Sequence, residues 1–295
     1  MVNALAGFNF EGGHPANKGL DASGNVITVP QFAHVVSLDY HRFEVELRYA
    51  FADHWSAWLR VPYEIKNQSV EIVLPASATV QEKDAMLRNG RIHHRDQVYR
   101  NITDLHLLIA HQKYNWLSDG DFLVLSAGST VPTGKTEADP FRLADLGEEH
   151  LHIQFGTGTF DALLELNYLR PIGTRVFLGT YIAGRYPFYT NSKGYKGPPE
   201  LTAALNSRYR VSRRLSVKAR GIFFLQGYGE WSGARDINSG LISLAVGLGM
   251  SVNLGSDATI GADLRLPFHQ ETLSGTGDSF KLGPMIHVNF SLLKK

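Results

Sequence analysis

From residue 43 to the end of the chain, apolar and polar positions alternate with a period of two. Phe43, Val45, Leu47, Tyr49 and Phe51 face one way, and Glu44, Glu46 and Arg48 the other. Successive side chains of a strand point to opposite faces, so each such run predicts a strand with one apolar face. After a short turn at Ala52-Asp53-His54, Trp55, Ala57, Leu59, Val61 and Tyr63 oppose Ser56, Trp58 and Arg60. Leu201, Ala203, Leu205, Tyr209 and Val211 oppose Thr202, Asn206, Arg208 and Arg210, and Leu215, Val217, Ala219, Phe223 and Leu225 oppose Ser216, Lys218, Arg220 and Gln226. Ile242, Leu244, Val246, Leu248 and Met250 then oppose Ser243, Gly247, Gly249 and Ser251, and Ile260, Ala262, Leu264 and Leu266 oppose Asp263, Arg265 and His269. Leu282, Ile286, Val288, Phe290 and Leu292 close the series.

Residues 2–10 add a short first strand, followed by a Gly-, Asn- and Asp-rich loop at 11–32. A polar segment at 67–102 holds one or two helical turns near Val80–Arg88, stopped by Asn89-Gly90. Residues 134–149 read as a loop in which Pro140 breaks any helix. The run from His150 to Leu169 reads as one long strand whose apolar parity shifts at Gly156-Thr157-Gly158, which predicts a bulge there. The strands number about twelve, and many exceed the usual 5–6 residues of a soluble sheet. Short turns at 52–54, 115–120, 171–174, 213–214 and 256–257 alternate with long connections. Short turns on one side, long loops on the other and an even strand count predict a transmembrane antiparallel up-and-down β-barrel, formed by residues 1–295 as one domain.

The faces support this. One face is almost free of charge over ten strands, a surface that lipid requires and that aggregates in water. The other carries Glu44, Glu46, Arg48, Arg60, Arg208, Arg210, Lys218, Arg220, Asp263 and Arg265, which are the expected lumen-lining residues. A soluble sandwich would bury the first face and wet the second; strand length and loop asymmetry favour the membrane. Aromatic residues gather at strand ends, as in interfacial girdles: Tyr49, Phe51 and Trp55; Tyr114 and Trp116; Tyr186, Phe188 and Tyr189.

Composition narrows the partners. A formal net charge of +1 gives no electrostatic case for nucleic acid. Cysteine is absent, which excludes disulfides and thiolate metal sites. No apolar run reaches 18 residues, so no transmembrane helix is expected. The opening Met1-Val2-Asn3-Ala4-Leu5-Ala6-Gly7 lacks the regions of a secretory signal, as expected either of a cytosolic protein or of a mature form with an added initiator Met.

Local motifs offer little chemistry. Gly134-Lys135-Thr136 follows a strand, but Gly128 stands one residue too far upstream for a phosphate loop, and Pro132 removes an N–H donor. In Gly156-x-Gly158 the third glycine of a dinucleotide fingerprint would fall on Asp161. His150 and His152 share a strand face beside Glu148 and Glu149, but no third ligand is evident, and a polar face running into a loop accounts for them. His93-His94 read as a solvated pair in the long loop. No Gly-x-Ser-x-Gly motif occurs, and no serine–histidine pair can be placed. No catalytic, cofactor or metal site is therefore expected.

Several short motifs resemble the outer-membrane barrel family labelled for the MetA pathway of phenol degradation. They are Pro132-Thr133-Gly134, Gly156-Thr157-Gly158-Thr159-Phe160-Asp161, Tyr49-Ala50-Phe51-Ala52-Asp53, Val61-Pro62-Tyr63, Thr103-Asp104-Leu105, Leu266-Pro267-Phe268 and the Asp278 to Gly283 stretch. The chain departs from the pattern at its end, Lys295, where such barrels usually finish on an aromatic residue; Phe290 is the nearest. The resemblance implies a Gram-negative outer-membrane protein that takes up aromatic or other small molecules. The lumen cations independently favour anionic or polar solutes, whereas pairing with Glu44, Glu46 and Asp263 would close a narrow barrel. The expected function is a narrow channel or uptake protein of the bacterial outer membrane, with lipid and a small solute as partners. The alternative is a non-conducting structural barrel that holds an envelope protein through its long loops. The segment 67–102 is expected either to fold inwards or to stand outside as a docking surface.

Overall fold

The computed structural model describes residues 1–255, 257–275 and 277–292; the predicted Ser256-Asp257 turn and the terminal Lys295 include positions outside these. Twelve strands form the wall. They are β1 (Val2–Leu20), β2 (Val26–Ala52), β3 (Trp55–Val73), β4 (Leu105–Tyr114), β5 (Phe122–Val131), β6 (Asp161–Ile172), β7 (Val176–Pro187), β8 (Glu200–Arg210), β9 (Leu215–Gln226), β10 (Leu241–Asn253), β11 (Ala258–Thr272) and β12 (Met285–Leu292). Each pairs antiparallel with its sequence neighbours. Val2 of β1 pairs with both Val45 of β2 and Phe290 of β12, which closes the sheet into an up-and-down barrel without free edges.

The apolar positions of the wall point outward. Leu47, Leu164, Leu205, Leu248 and Phe268 are all exposed, as are the strand-end aromatics Tyr49, Phe51, Tyr114, Tyr186 and Phe188. A closed sheet can leave such a band uncovered only where the surroundings are apolar. No helix among the described residues is long and apolar enough to cross a membrane, so any crossing is made by strands.

Several elements differ from the sequence reading. β1 has 19 residues and β2 has 27, so most of the expected 11–32 loop is strand. A spanning strand needs about 9–11 residues, so this hairpin stands well above the wall at the long-loop end. Its tip is a tight turn in which Asp21 accepts hydrogen bonds from the amides of Ser23 and Asn25. Helix α1 (Val80–His93) is longer than expected and runs through Asn89-Gly90. Thr79 and Glu82 close its first turn as a reciprocal capping box. A Cβ at Gly90 would lie 2.0 Å from Ile72 Cδ1, so glycine is there for close packing and does not end the helix.

Pro140 starts a helix where a break was expected. Asp139 caps α2 (Pro140–Asp145), and the proline takes the first helical position, where its missing N–H costs nothing. Residues 150–160 form no strand, and the bulge expected at Gly156-Thr157-Gly158 is instead a buried, irregular crossing. Asp104 ties this crossing down by accepting from the amides of Gly134 and Thr157. A Cβ at Gly134 would lie 2.7 Å from Gly156 Cα, so the two glycine motifs mark a backbone crossing rather than a phosphate cradle.

Candidate functional site

Even-numbered residues of β2 point inward, carrying Arg42, Glu44 and Glu46 into the barrel. The interior holds a column of three cavities that share lining residues. At the long-loop end, a cavity of about 470 Å³ is bounded by Tyr40, Arg42, Lys66, His106, Phe155 and Arg185. The middle cavity of about 670 Å³ shares Arg42, His106 and Arg185 with it, and includes Glu46, Arg60 and Glu165. The third, about 460 Å³ towards the short-turn end, shares Arg48, Trp58 and Arg220 with the middle one.

The middle of the column is braced by ion pairs. Arg60 makes a two-pronged contact with Glu165 across the interior, at 2.5 and 2.9 Å, and reaches Glu46 at 2.6 Å. Arg48 also pairs with Glu46 at 2.6 Å, and its guanidinium lies 4.0 Å from the centre of the Trp58 ring. Arg42 joins Glu44 and Glu64 at 2.9 and 3.0 Å. Asp263 takes Arg265 and His287 at 2.9 Å and lies 3.7 Å from Arg220.

The third cavity differs in charge. Arg48, Arg208, Lys218 and Arg220 line it, together with the rings of Trp58, Phe122, Tyr168, Phe177 and Tyr181, and no carboxylate does. Arg208 stacks over Phe177 at 4.3 Å and makes no ion pair among the described residues.

Of the ten expected lumen residues, Glu44, Glu46, Arg48, Arg60, Arg208, Lys218, Arg220 and Arg265 border cavities, and Asp263 pairs with two of them. Arg210 lies apart, exposed at the short-turn end with its guanidinium 4.8 Å from Phe177. Sequence reasoning missed Arg42, Glu64, Glu165 and Arg185. Arg42 and Glu165 could have been found, since each is a charge at an inward position of its strand's alternation.

Helix α1 lies at the long-loop end. The face of β2 that carries Glu46 inward carries Phe32 and His34 above the wall, and α1 packs there through Ala85 and Met86 against Val29 and Phe32. Of the segment 67–102, helix α1 packs on this inward face, whereas residues 67–73 continue β3 and Gln97–Ile102 pairs with it as a further strand. His93 and His94, expected to be solvated, meet His14 of β1, His34, and the His150 and His152 of the long loop. Burial pushes His34 down to about 4 and His152 down to about 3, aided by neighbouring imidazoles, so both are neutral at neutral pH.

No family model matches the chain, and no curated protein does, so the likeness to the phenol-degradation family stays a resemblance carried by short motifs. Among solved structures, an outer membrane channel of Pseudomonas putida F1 aligns with a TM-score of 0.56 at 12% identity, over 99% of this chain and 95% of that one. This protein has the fold of an outer-membrane channel. The transport unit of the autotransporter AIDA-I of Escherichia coli and a mutant of the monoaromatic hydrocarbon channel TodX each align with a TM-score of 0.45 at 9% identity, over 99% of this chain and 90% of theirs.

Proposed function

We propose that the protein is a narrow channel of the bacterial outer membrane that passes small anionic solutes, aromatic ones among them, and that it is not an enzyme. The observation that carries this reading is the carboxylate-free cavity walled by Arg48, Arg208, Lys218, Arg220 and five aromatic rings. Charged side chains facing a pore select by sign, and aromatic faces accept a flat apolar body. The aligned channels agree in class with this reading, and the short turns then face the periplasm.

Flux into liposomes tests it. Benzoate should enter several-fold faster than benzylammonium, and Arg208→Leu should shrink that difference without unfolding the barrel. Flux that ignores the sign of the solute would remove the anion reading, and no flux at all would remove the channel.

The Arg60–Glu165 brace across the middle of the lumen favours a second reading, a non-conducting barrel that holds an envelope partner by its long loops. Absence of both solute flux and bilayer current would support it.

A further inference from the structure

Six histidines of this twelve-histidine chain meet above the barrel mouth. They come from four separate places: His14 from β1, His34 from β2, His93 and His94 from the end of α1, and His150 and His152 from the loop before β6. One nitrogen from each of His14, His34, His93 and His94 lies within 4.8 Å of the others, and the same holds for His93, His150 and His152.

The nitrogen lone pairs decide what this cluster is for. His14 Nδ1 lies 3.2 Å from the Pro15 carbonyl oxygen and His150 Nδ1 lies 2.8 Å from that of Glu148. A carbonyl oxygen only accepts, so both Nδ1 atoms carry the proton and both Nε2 atoms present a bare lone pair. His14 Nε2 then faces His93 Nε2 at 3.0 Å and His94 Nε2 at 3.1 Å. His150 Nε2 faces the other nitrogen of His93, its Nδ1, which His152 Nε2 also approaches at 3.3 Å. A neutral His93 has one N–H to offer and lone pairs aimed at both of its nitrogens. At least one contact is therefore lone pair against lone pair unless a cation lies between them.

Protonation of the cluster does not supply that cation well. Among the described residues the only histidine–carboxylate ion pair is His287 with Asp263, far down the barrel; the charge of Asp278 is felt at His14, but no carboxylate forms an ion pair with any imidazole of the cluster. His34 adds a second, independent observation. It is 1% exposed, its ring centre lies 5.2 and 5.3 Å from those of His94 and His93, and neither of its nitrogens has a hydrogen-bond partner. An imidazole buried without a partner is costly, and a ligand that accepts its lone pair removes the cost.

A divalent transition metal fits both observations. Metal–nitrogen bonds of about 2.0–2.1 Å place the nitrogens of a tetrahedral site about 3.3–3.4 Å apart. The separations of 3.0 and 3.1 Å from His14 Nε2 to the Nε2 atoms of His93 and His94 are a few tenths of an ångström short of that edge length. Imidazole ligands suit zinc, copper and nickel rather than magnesium or calcium. The backbone carbonyl of Pro15 fixes the His14 ring in the way that supporting groups fix metal-binding histidines, and that of Glu148 fixes His150 against His93.

We propose that His14, His34, His93 and His94 bind one divalent transition-metal ion at the mouth of the barrel, with His150 and His152 holding His93 in place through its other ring nitrogen. The ion fastens α1 to the β1–β2 hairpin, and through His93 it reaches the 150–152 loop. Nothing in this assignment depends on whether the barrel conducts.

The test uses the full-length, tag-free barrel in detergent, stripped with a chelator, and titrated with zinc at pH 7.5 by calorimetry. One equivalent should bind tightly. His94→Asn and His34→Asn should each weaken binding at least about tenfold, the size of loss seen when a metal site is disturbed. His269→Asn, outside the cluster, should leave it unchanged. Heat-modifiable gel migration confirms that each variant is folded. Cobalt substitution gives a readout besides affinity: absorption bands of a tetrahedral nitrogen site should appear in the parent and vanish in His94→Asn. Failure to bind zinc, or equal binding by the His34→Asn/His94→Asn double variant, would overturn the proposal. Retention by His34→Asn alone would remove His34 from the ligand set and overturn the four-histidine assignment.

Discussion

Arg60 shows what a single inward charge does in this barrel. It is nearly buried, and so are its partners Glu46 and Glu165. Removing one member of a buried ion-paired set leaves the others charged and uncompensated, typically a loss of about 3–5 kcal/mol. Arg60→Met should therefore destabilise the barrel by roughly that amount, measured by urea unfolding in lipid vesicles. A neutral result would mean that water already screens the three groups. The alternation placed Arg60, Glu46 and Arg48 on one face, because period two is a local property of a strand. It could not pair Arg60 with Glu165, because that contact joins residues 105 apart in sequence across the closed interior. The same limit applies to the histidines. His150 and His152 were visible as two ligands lacking a third, and His93, the missing partner, lies 57 residues upstream of His150 on a helix whose docking no local pattern reveals.

At the scale of elements, the wall strands were legible and their upper ends were not. β1 and β2 continue past the membrane band through a Gly-rich stretch that composition marks as loop. Backbone pairing holds it instead, with His14 opposite His34 and Gly13 opposite Val35. Helix α1 was visible only as far as Asn89-Gly90, because the reason for Gly90 is Ile72, a neighbour from another element. That docking also gives a prediction. Met86 is fully buried between α1 and the hairpin. Met→Ala at such a site costs about 2–5 kcal/mol, and here the loss falls on the cap alone, since α1 is not part of the wall. In Met86→Ala, hydrogen exchange over 80–94 should accelerate strongly while β6 to β12 keep their protection. Acceleration throughout would show that cap and wall unfold together.

The whole molecule is an inside-out object, with ion pairs within and leucines without. Its outer face decides what medium surrounds it, and depth along one strand makes that decidable. Leu248 is 63% exposed near the middle of β10, and Leu254 is 60% exposed just beyond that strand's short-turn end. On a lipid-facing wall, arginine at the bilayer midplane costs about 2–4 kcal/mol, falling to about 0–1 at the interface. Leu248→Arg should therefore destabilise the barrel by several times more than Leu254→Arg, measured by reversible unfolding in vesicles. A water-soluble barrel with the same exposures would lose nothing at either site, because arginine is well solvated at both. A large, equal loss at both would place Leu254 within the hydrocarbon core and lower the short-turn boundary of the membrane band. The depth dependence, rather than the apolar character of the face, separates lipid from water, since a patch awaiting a protein partner would show no gradient along the strand.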